Sequence, residues 1–364
     1  MPLALVSLKL AAFRSYRRAE MEAGPGIVAL AGPNGAGKTN VLEAVSMLAP
    51  GRGLRRAAPE ELSRGGSGGW SVDALARTAG DPAEIRTGAG ADLRRTARLD
   101  GKAVSVLSLG RVLRILWLTP ALDRVFVEGP GERRRFLDRI TLSFSPEHAA
   151  HASRYEKTMR ERNRLLKEGG AEPGWLSALE AQMAEAGTAL AAGRRGALAS
   201  LMAARDDASA FPHAEAALTG EHEEAAPDAD AFRERLARGR RDDGYAGRAL
   251  FGPHRSDLAV RYAAKDMPAA ACSTGEQKAL LVSLVLANAR ALAAAAGAPP
   301  ILLLDEIAAH FDADRRAALF SEIGALGAQA WMTGTEWALF EALGPGAQRL
   351  AVRDGEDGSQ IAAL

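Results

Sequence analysis

The stretch Gly32-Pro33-Asn34-Gly35-Ala36-Gly37-Lys38-Thr39 decides how the rest of the chain is read. It fits G-x-x-x-x-G-K-[ST], in which glycines let backbone N–H groups curl around phosphate oxygens and the following helix N-terminus adds positive partial charge. The surroundings agree. Ile27-Val28-Ala29-Leu30 before it is an apolar run that predicts a short buried strand, and Asn40 to Leu48 after it predicts a helix. In such a loop Lys38 reaches the β and γ phosphates of a nucleotide and Thr39 can hold Mg²⁺.

The chain around this loop is long enough for two or three domains and has ordinary globular composition, with 364 residues, 47% hydrophobic and 25% charged. Its 46 basic and 45 acidic residues leave a net charge of +1, so any nucleic-acid surface must be local. Basic residues are seven Lys and 39 Arg, a bias that a GC-rich coding sequence explains. The single cysteine, Cys272, forms no intrachain disulfide, and the start MPLALVSLKLAAFRSYRR lacks a basic region ahead of a long apolar core. A cytosolic protein is expected. The most apolar stretch, Ala279 to Leu304, is broken by Asn288, Arg290 and Pro299-Pro300, so no membrane span and no membrane partner are expected.

Leu3 to Leu10 reads as a strand, and short segments at Trp70 to Ala76, Glu84 to Thr87 and Arg94 to Leu99 predict an antiparallel patch, with Asp100-Gly101 turning into Ala103 to Val106. Val112 to Thr119 is strand-like up to Pro120. From about Pro146 the texture becomes helical: Glu147 to Glu168, a break at 169–174, then a helix from Trp175 with Leu179, Met183, Ala186 and Leu190 on one stripe. These predict an antiparallel helical hairpin. The acidic stretch Glu215 to Asp230 reads as a loop, and the basic run Arg233 to Arg241 as a solvated helix face. Strands are expected again at Ala249 to Phe251 and Leu258 to Tyr262, followed by a helix from Gly275 to Ala296, strands at Ile301 to Leu304 and Ala330 to Met332, and a hairpin near Asp354 to Gly358. The fold class is therefore α/β, a core split by a mostly helical insert, with residues 1–119 and 246–364 in the core and 120–245 in the insert.

Ile301-Leu302-Leu303-Leu304-Asp305-Glu306 is an apolar strand that delivers two carboxylates at its end, the Walker B arrangement. Asp305 would bind Mg²⁺ and Glu306 would polarise the attacking water, because phosphoryl transfer depends on positioning and charge neutralisation more than on covalent chemistry. Ser273-Thr274-Gly275-Glu276-Gln277-Lys278 is by itself a helix cap followed by an acidic residue. Lying 27 positions before Asp305, it also resembles the signature motif of ABC-type ATPases, which meets the γ-phosphate held by a partner's P-loop. His310-Phe311-Asp312 falls where the D-loop of those proteins lies. Lys38 and Ser273 stand 235 positions apart, more than a compact transporter ATPase needs, and the insert is too short for a long coiled-coil arm.

Together these features resemble the RecF family along essentially the whole chain. The residues that carry the resemblance are Leu10-Ala11-Ala12-Phe13-Arg14-Ser15-Tyr16, the P-loop with Asn40, Gly131-Glu132-Arg133-Arg134-Arg135-Phe136-Leu137-Asp138, Gly252-Pro253-His254-Arg255-Ser256-Asp257, STGEQK at 273–278 and LLLDEIAAHFD at 302–312. The resemblance implies an ABC-type ATPase head with a mixed sheet and a helical lobe. It further implies ATP with Mg²⁺, a head-to-head homodimer formed with ATP, DNA binding, slow DNA-stimulated hydrolysis, and cooperation with RecR and RecO in loading RecA at single-strand gaps during recombinational repair. Arg14 would serve the nucleotide, as would Asn40. Two departures stand out. No Gln occurs before Gln182, so the Q-loop position near Ile115 to Thr119 lacks its usual side chain, and no His follows His310, which leaves Thr333 or Thr335 in place of a switch histidine.

Arg52, Arg55 and Arg56, after the P-loop helix and beside Gly51 and Gly53, are candidate phosphate contacts for DNA. Arg133, Arg134, Arg135 and Arg139 alternate with Glu132 and Asp138 and are expected to pair along the helix surface. His254 and Arg255 are expected to organise a lobe interface, Cys272 to be a small residue beside the signature, and the six His to form no metal site. Two other functions suit parts of the pattern: a scaffold that holds ATP without hydrolysing it, and the ATPase subunit of a membrane transporter.

Overall fold

The computed structural model describes residues 3–78, 80–169 and 172–364, except for the side chain of His310. The chain forms two compact units, one of Met1–Asp123, Ala204–Pro212 and Ser273–Leu364, the other of Arg124–Ala203 and His213–Cys272. The expected division at 119/120 and 245/246 is displaced for identifiable reasons. Residues 246–272 fall in the second unit because β10 (Asp257–Tyr262) pairs antiparallel with β9 (Ala214–Thr219). Residues 204–212 return to the first unit, where the Ser209 hydroxyl donates to Glu322 at 2.7 Å and Phe211 packs on Phe311 with ring centroids 5.8 Å apart.

The first unit is built on two sheets. One is antiparallel, in the order β2 (Tyr16–Glu22), β1 (Ala4–Phe13), β4 (Trp70–Arg77), β5 (Ala83–Ala89), β6 (Arg95–Leu99), β7 (Lys102–Val104). Burial alternates along β4 and β5, as expected where one face covers a core and the other faces water. Leu99 pairs with Lys102 across Asp100-Gly101, both of which have positive φ, so the predicted two-residue hairpin is present.

The other sheet runs β15 (Gln360–Ala363), β14 (Gln348–Arg353), β3 (Ile27–Ala31), β13 (Ala330–Gly334), β12 (Ile301–Leu304), β8 (Ile115–Leu118). All its pairings are parallel except β14 with β15, and β12 is buried along its whole length, which is why it reads as an uninterrupted apolar run. Gln329 links the two sheets. Fully buried, it accepts from the Leu5 N–H at 2.8 Å and donates to the carbonyls of Leu5 at 2.8 Å and Gly24 at 2.6 Å, satisfying backbone groups where the β1–β4 register shifts.

The helix Thr274–Ala296 starts from a capping box, with Ser273 and Glu276 exchanging hydrogen bonds, and ends at Gly297 in the left-handed region. By length and composition it could cross a membrane, although Asn288 and Arg290 lie within it, and 67% of its most apolar window is buried inside the protein. Its apolar character is that of a core helix.

In the second unit the helices His148–Glu168 and Pro173–Ala203 form the predicted hairpin, joined by the helices Pro130–Phe144 and Ala229–Arg238 and by a sheet in the order β11 (Met267–Pro268), β10, β9. Gly170 and Ala171 of the predicted break lie outside the described residues. Met183, Ala186 and Leu190 are buried as the stripe requires, and a Cβ on Gly187 would come within 2.6 Å of Phe232 and 2.8 Å of Tyr155. Arg162 sits wholly buried in this unit, donating to Glu180 at 3.0 Å, Asp243 at 2.6 Å and the Leu236 carbonyl at 2.7 Å.

Two expectations fail here. Residues 214–219 form a strand where a loop was expected: β9 is an edge strand, so its alternate polar residues face outward and the segment reads as an acidic loop. Ala249 to Phe251 is not a strand, because the Leu250 N–H is taken by the Asp243 carboxylate at 2.9 Å rather than by a ladder partner.

Candidate functional site

The loop 32–37 joins β3 to the helix Lys38–Ser46 at the carboxyl end of the parallel sheet. Two of its glycines are required for different reasons. Gly37 has φ 105°, and Gly32 lies so close to β14 that a Cβ would stand 2.0 Å from the Val352 carbonyl oxygen. Pro33, Asn34 and Gly35 are exposed, whereas Ala36, Gly37 and Lys38 are buried. The Lys38 ammonium donates to the carbonyls of Gly32 at 2.7 Å and Pro33 at 2.9 Å. Burial pushes its pKa down, opposed by the nearby carboxylates of Glu306 and Asp305.

β12 delivers its two carboxylates beside this loop. The Thr39 hydroxyl donates to Asp305 Oδ1 at 2.9 Å, and the Thr333 hydroxyl donates to the same oxygen at 2.8 Å. Thr333 Oγ1 in turn accepts from the Glu306 N–H at 2.8 Å. Glu306 has φ 55°, a left-handed conformation for a non-glycine residue, which turns the chain sharply where the strand ends. Of the two threonines proposed for the switch position, Thr333 is buried in this network and Thr335 is exposed. The region lacking a Gln is β8 itself, which follows the register of β12 and accepts the Asp305 N–H at the Leu118 carbonyl, 2.9 Å away.

The β1–β2 turn packs against the same loop and helix. Arg14 is left-handed, with φ 52°, and its guanidinium forks onto Glu43 at 2.8 Å on both arms while donating to the Glu61 carbonyl at 2.8 Å. Asn40 Nδ2 donates to Ser15 Oγ at 2.7 Å, Ser359 Oγ donates to Ser15 Oγ at 2.7 Å, and the Tyr16 hydroxyl donates to the Gly37 carbonyl at 3.1 Å. Burial raises the Tyr16 pKa well above its ordinary value. Arg55 donates to Asn40 Oδ1 at 3.0 Å and lies 3.6 Å from Glu43, so of the three exposed arginines after the helix it is the one tied to the loop. Arg52 donates to the Ala57 carbonyl at 3.4 Å, and Arg56 has φ 54°.

Sequence reasoning overlooked Arg95. From β6 it donates to the carbonyls of Met47 and Ala49, the latter at 3.0 Å, at the end of the P-loop helix. Burial lowers its pKa to about 10. A cation there meets both unpaired carbonyls and the negative end of the helix dipole. In the sequence it is one arginine among 39.

Ser273, Thr274 and Gly275 are exposed and Glu276 is half-buried, while Gln277 and Lys278 are buried. Lys278 donates to Asp123 at 3.1 Å, and burial lowers its pKa against the opposing pull of that carboxylate. Of the D-loop, Asp312 caps the helix Ala313–Leu326 by accepting from the Arg315 N–H at 2.8 Å, and the side chain of His310 lies outside the described residues. Among the described residues no cluster of three or more His, Cys, Asp or Glu could hold a metal.

In the second unit the RRRFLD and GPHRSD segments meet each other. Arg133 forks onto Asp257 at 2.7 and 2.8 Å, Arg134 donates to the Ser256 carbonyl at 2.7 Å, and Asp138 accepts both arms of Arg194, which also donates to the Pro253 carbonyl at 2.7 Å. The expected pairing along the helix surface therefore holds for Arg135 with Glu132, whereas Arg133 and Asp138 reach across to other elements. Both ring nitrogens of His254 are used within this unit, by the Tyr155 hydroxyl at 2.7 Å and the Ala249 carbonyl at 3.0 Å, and Arg255 is exposed. Cys272 is buried.

The profile of the RecF/RecN/SMC N terminal domain family matches residues 4–343. The DNA replication and repair protein RecF of Brucella suis biovar 1 (strain 1330) is 49% identical over 363 residues, covering 96% of this chain and 94% of the relative. The protein of that name from Caulobacter vibrioides is 48% identical over 379 residues, covering 98% and 97%. Among solved structures, that of the recombination mediator protein RecF-ATPrS in the RecFOR pathway superposes with a TM-score of 0.85 at 22% identity, covering 100% of this chain and 98% of the other. The Smc head domain from Pyrococcus furiosus superposes with a TM-score of 0.58 at 18% identity, covering 100% and 96%. The fold is thus that of RecF and of the SMC head, and with close relatives along nearly its whole length this chain belongs to the RecF family.

Proposed function

We propose that this chain is an ATP-driven DNA clamp of recombinational repair. It binds ATP with Mg²⁺, pairs head to head with a second copy, holds DNA at single-strand gaps, and with RecR and RecO assists RecA loading, hydrolysis resetting the cycle in the cytoplasm. The observation that carries this reading is the run of hydrogen bonds from Thr39 through Asp305 to Thr333 and the Glu306 N–H. It gathers the P-loop and the ends of two parallel strands around one carboxylate. The relatives' name and the ATP-ligated RecF of the RecFOR pathway support the biological setting.

The Thr39 hydroxyl and the Asp305 carboxylate are hard oxygen donors 2.9 Å apart, a pair that suits Mg²⁺. Bound there, the ion would neutralise phosphate charge during transfer. Lys38 exchanges two neutral carbonyl acceptors for phosphate oxygens, a stronger charge-assisted contact. The backbone N–H groups of Asn34, Gly35 and Gly37 orient the phosphates, those of Gly32 and Ala36 shape the loop by donating to the Gly334 and Pro33 carbonyls, and Asn40 and Arg14 hold the loop against the β1–β2 turn. Glu306 takes the proton of the attacking water. The exposed Ser273, Thr274 and Gly275, with Glu276 fixing the cap, meet the phosphates held by the second copy. Arg52, Arg55 and Arg56 contact DNA phosphates.

Phosphate release with and without DNA, measured alongside equilibrium binding of a fluorescent ATP analogue, tests the reading. Lys38→Ala is expected to lose nucleotide binding, and Glu306→Gln to bind ATP but release no phosphate. A Glu306→Gln variant that turns over like the parent would overturn the assignment.

A further inference from the structure

A pocket of about 350 Å³ in the second unit is lined by Arg134, Arg248, Arg255, His254, Asn163 and the start of the helix Pro130–Phe144, with no carboxylate on its walls. Its basic groups differ from the many arginines of the chain that are spent on acidic partners, such as Arg133, Arg162 and Arg194. Arg134 is half-buried and donates only to the Ser256 carbonyl. Among the described residues Arg248 and Arg255 are exposed and have neither a carboxylate nor a carbonyl acceptor for their side chains. The carboxylates nearest in the chain are already engaged, Asp257 by Arg133, Glu132 by Arg135, Asp138 by Arg194 and Asp243 by Arg162.

The rest of the pocket suits the same ligand. The 15-residue helix Pro130–Phe144 has no side-chain cap at Gly129, and a Cβ on Gly131 would meet nothing closer than guanidinium nitrogens at 3.9 Å, so its first turn is open at the pocket wall. Asn163 lines the same wall, its Oδ1 buried without a hydrogen-bond partner. Burial lowers the His254 pKa, and its neutral ring, held by Tyr155 and Ala249, contributes shape rather than charge. Just before Arg248 in the chain, Tyr245 is 79% exposed, with the Arg241 guanidinium 5.6 Å from its ring centroid.

We propose that this pocket binds a backbone phosphate of a DNA strand, Arg134 forming its floor and Arg248 and Arg255 its rim. The exposed ring of Tyr245, three residues before Arg248 in the chain, favours a nucleic acid over free phosphate, since bases stack on aromatic rings. The site lies on different elements from Arg52, Arg55 and Arg56, and gives the second unit its own part in DNA capture. The inference rests on the DNA-binding reading above.

The test is fluorescence anisotropy with two labelled gapped duplexes of unrelated sequence, titrated against the full chain in Mg-ATP at several salt concentrations. The Arg248→Ala/Arg255→Ala double variant is expected to bind both duplexes roughly tenfold more weakly, with a salt slope about one unit shallower, while binding ATP like the parent. Arg248→Lys/Arg255→Lys is expected to recover most of the affinity, which lost folding would not allow. Unchanged affinity and slope in the alanine variant overturn the pocket assignment alone. If the parent binds neither duplex, the DNA-binding reading fails and takes this inference with it. Release of the parent from DNA by millimolar inorganic phosphate at constant ionic strength, with the alanine variant's residual binding indifferent to it, supports the pocket as the phosphate seat. Phosphate binding at Arg248 and Arg255 that leaves DNA affinity untouched assigns it to free phosphate instead and overturns the proposal.

Discussion

The hydroxyl of Thr39 and the carboxylate of Asp305 stand 2.9 Å apart although 266 positions separate them in the chain. Parallel pairing of β3 with β13 and of β13 with β12 brings the two strand ends side by side, and Thr333, on the strand between them, joins the pair from within the sheet. Thr333 is therefore the residue through which strand register fixes the Asp305 carboxylate and the backbone of Glu306.

Thr333→Val keeps the shape of that side chain and removes its hydroxyl. The buried Asp305 carboxylate and the Glu306 N–H each lose a partner, so a loss of about 1–3 kcal/mol in stability is expected, together with markedly slower ATP turnover. Urea denaturation and phosphate release check it. A variant with parental stability and rate would show that the bridge has no role in placing Glu306.

Arg95→Met leaves the carbonyls just past the P-loop helix without their half-buried cation. Loss of charge-assisted hydrogen bonds at a helix C-terminus costs about 2–3 kcal/mol. Nucleotide affinity is expected to fall with it, because the same helix begins at Lys38. Denaturation of the variant at parental urea concentration would rule out this anchoring.

Buried and exposed ion pairs make a calibrated contrast. Arg162→Met strands the buried Asp243 carboxylate, leaves buried Glu180 to Arg240 alone, and is expected to cost about 3–5 kcal/mol. Lys9→Ala breaks the exposed 2.6 Å pair with Glu20, which solvent screens, and is expected to leave the unfolding midpoint close to the parent's. Equal effects on unfolding would contradict the difference in burial.

His222 is buried against Phe232 and Phe251, with ring centroids 4.8 and 5.2 Å away, and burial lowers its pKa to about 4. The unfolded chain binds a proton near the ordinary value of 6.5 and the folded chain does not, so stability falls as pH drops through the window between them. His222→Phe, which suits the aromatic surroundings, is expected to flatten that slope in unfolding midpoints from pH 7 to 4.5. An unchanged slope would assign it to other groups.

The parallel sheet and its two motifs are legible in the sequence because each is local: a glycine loop after an apolar strand, and an apolar strand ending in two acids. The hairpin of long helices is legible for the same reason, its stripe recurring at helical spacing. Ser15, Ser359 and Arg95 are not legible as site residues, since each acts on groups far away in the chain, and Thr333 is reached only as one of two threonines in place of a switch histidine. The strand at 214–219 escapes notice because an edge strand may keep its outward face polar, and the unit boundary at 272/273 because it depends on which strand β10 pairs with.

The central claim is that ATP joins two copies of this chain across their exposed signature segments to hold DNA. Light-scattering mass of the Glu306→Gln protein with Mg-ATP, with and without a gapped duplex and with a Ser273→Arg version alongside, tests it most directly. The account predicts a monomer without ATP, a dimer with ATP that retains the duplex, and a Ser273→Arg protein that binds ATP yet stays monomeric. A Ser273→Arg protein that dimerises normally, or a Glu306→Gln protein that binds ATP but remains a monomer without DNA, would contradict it.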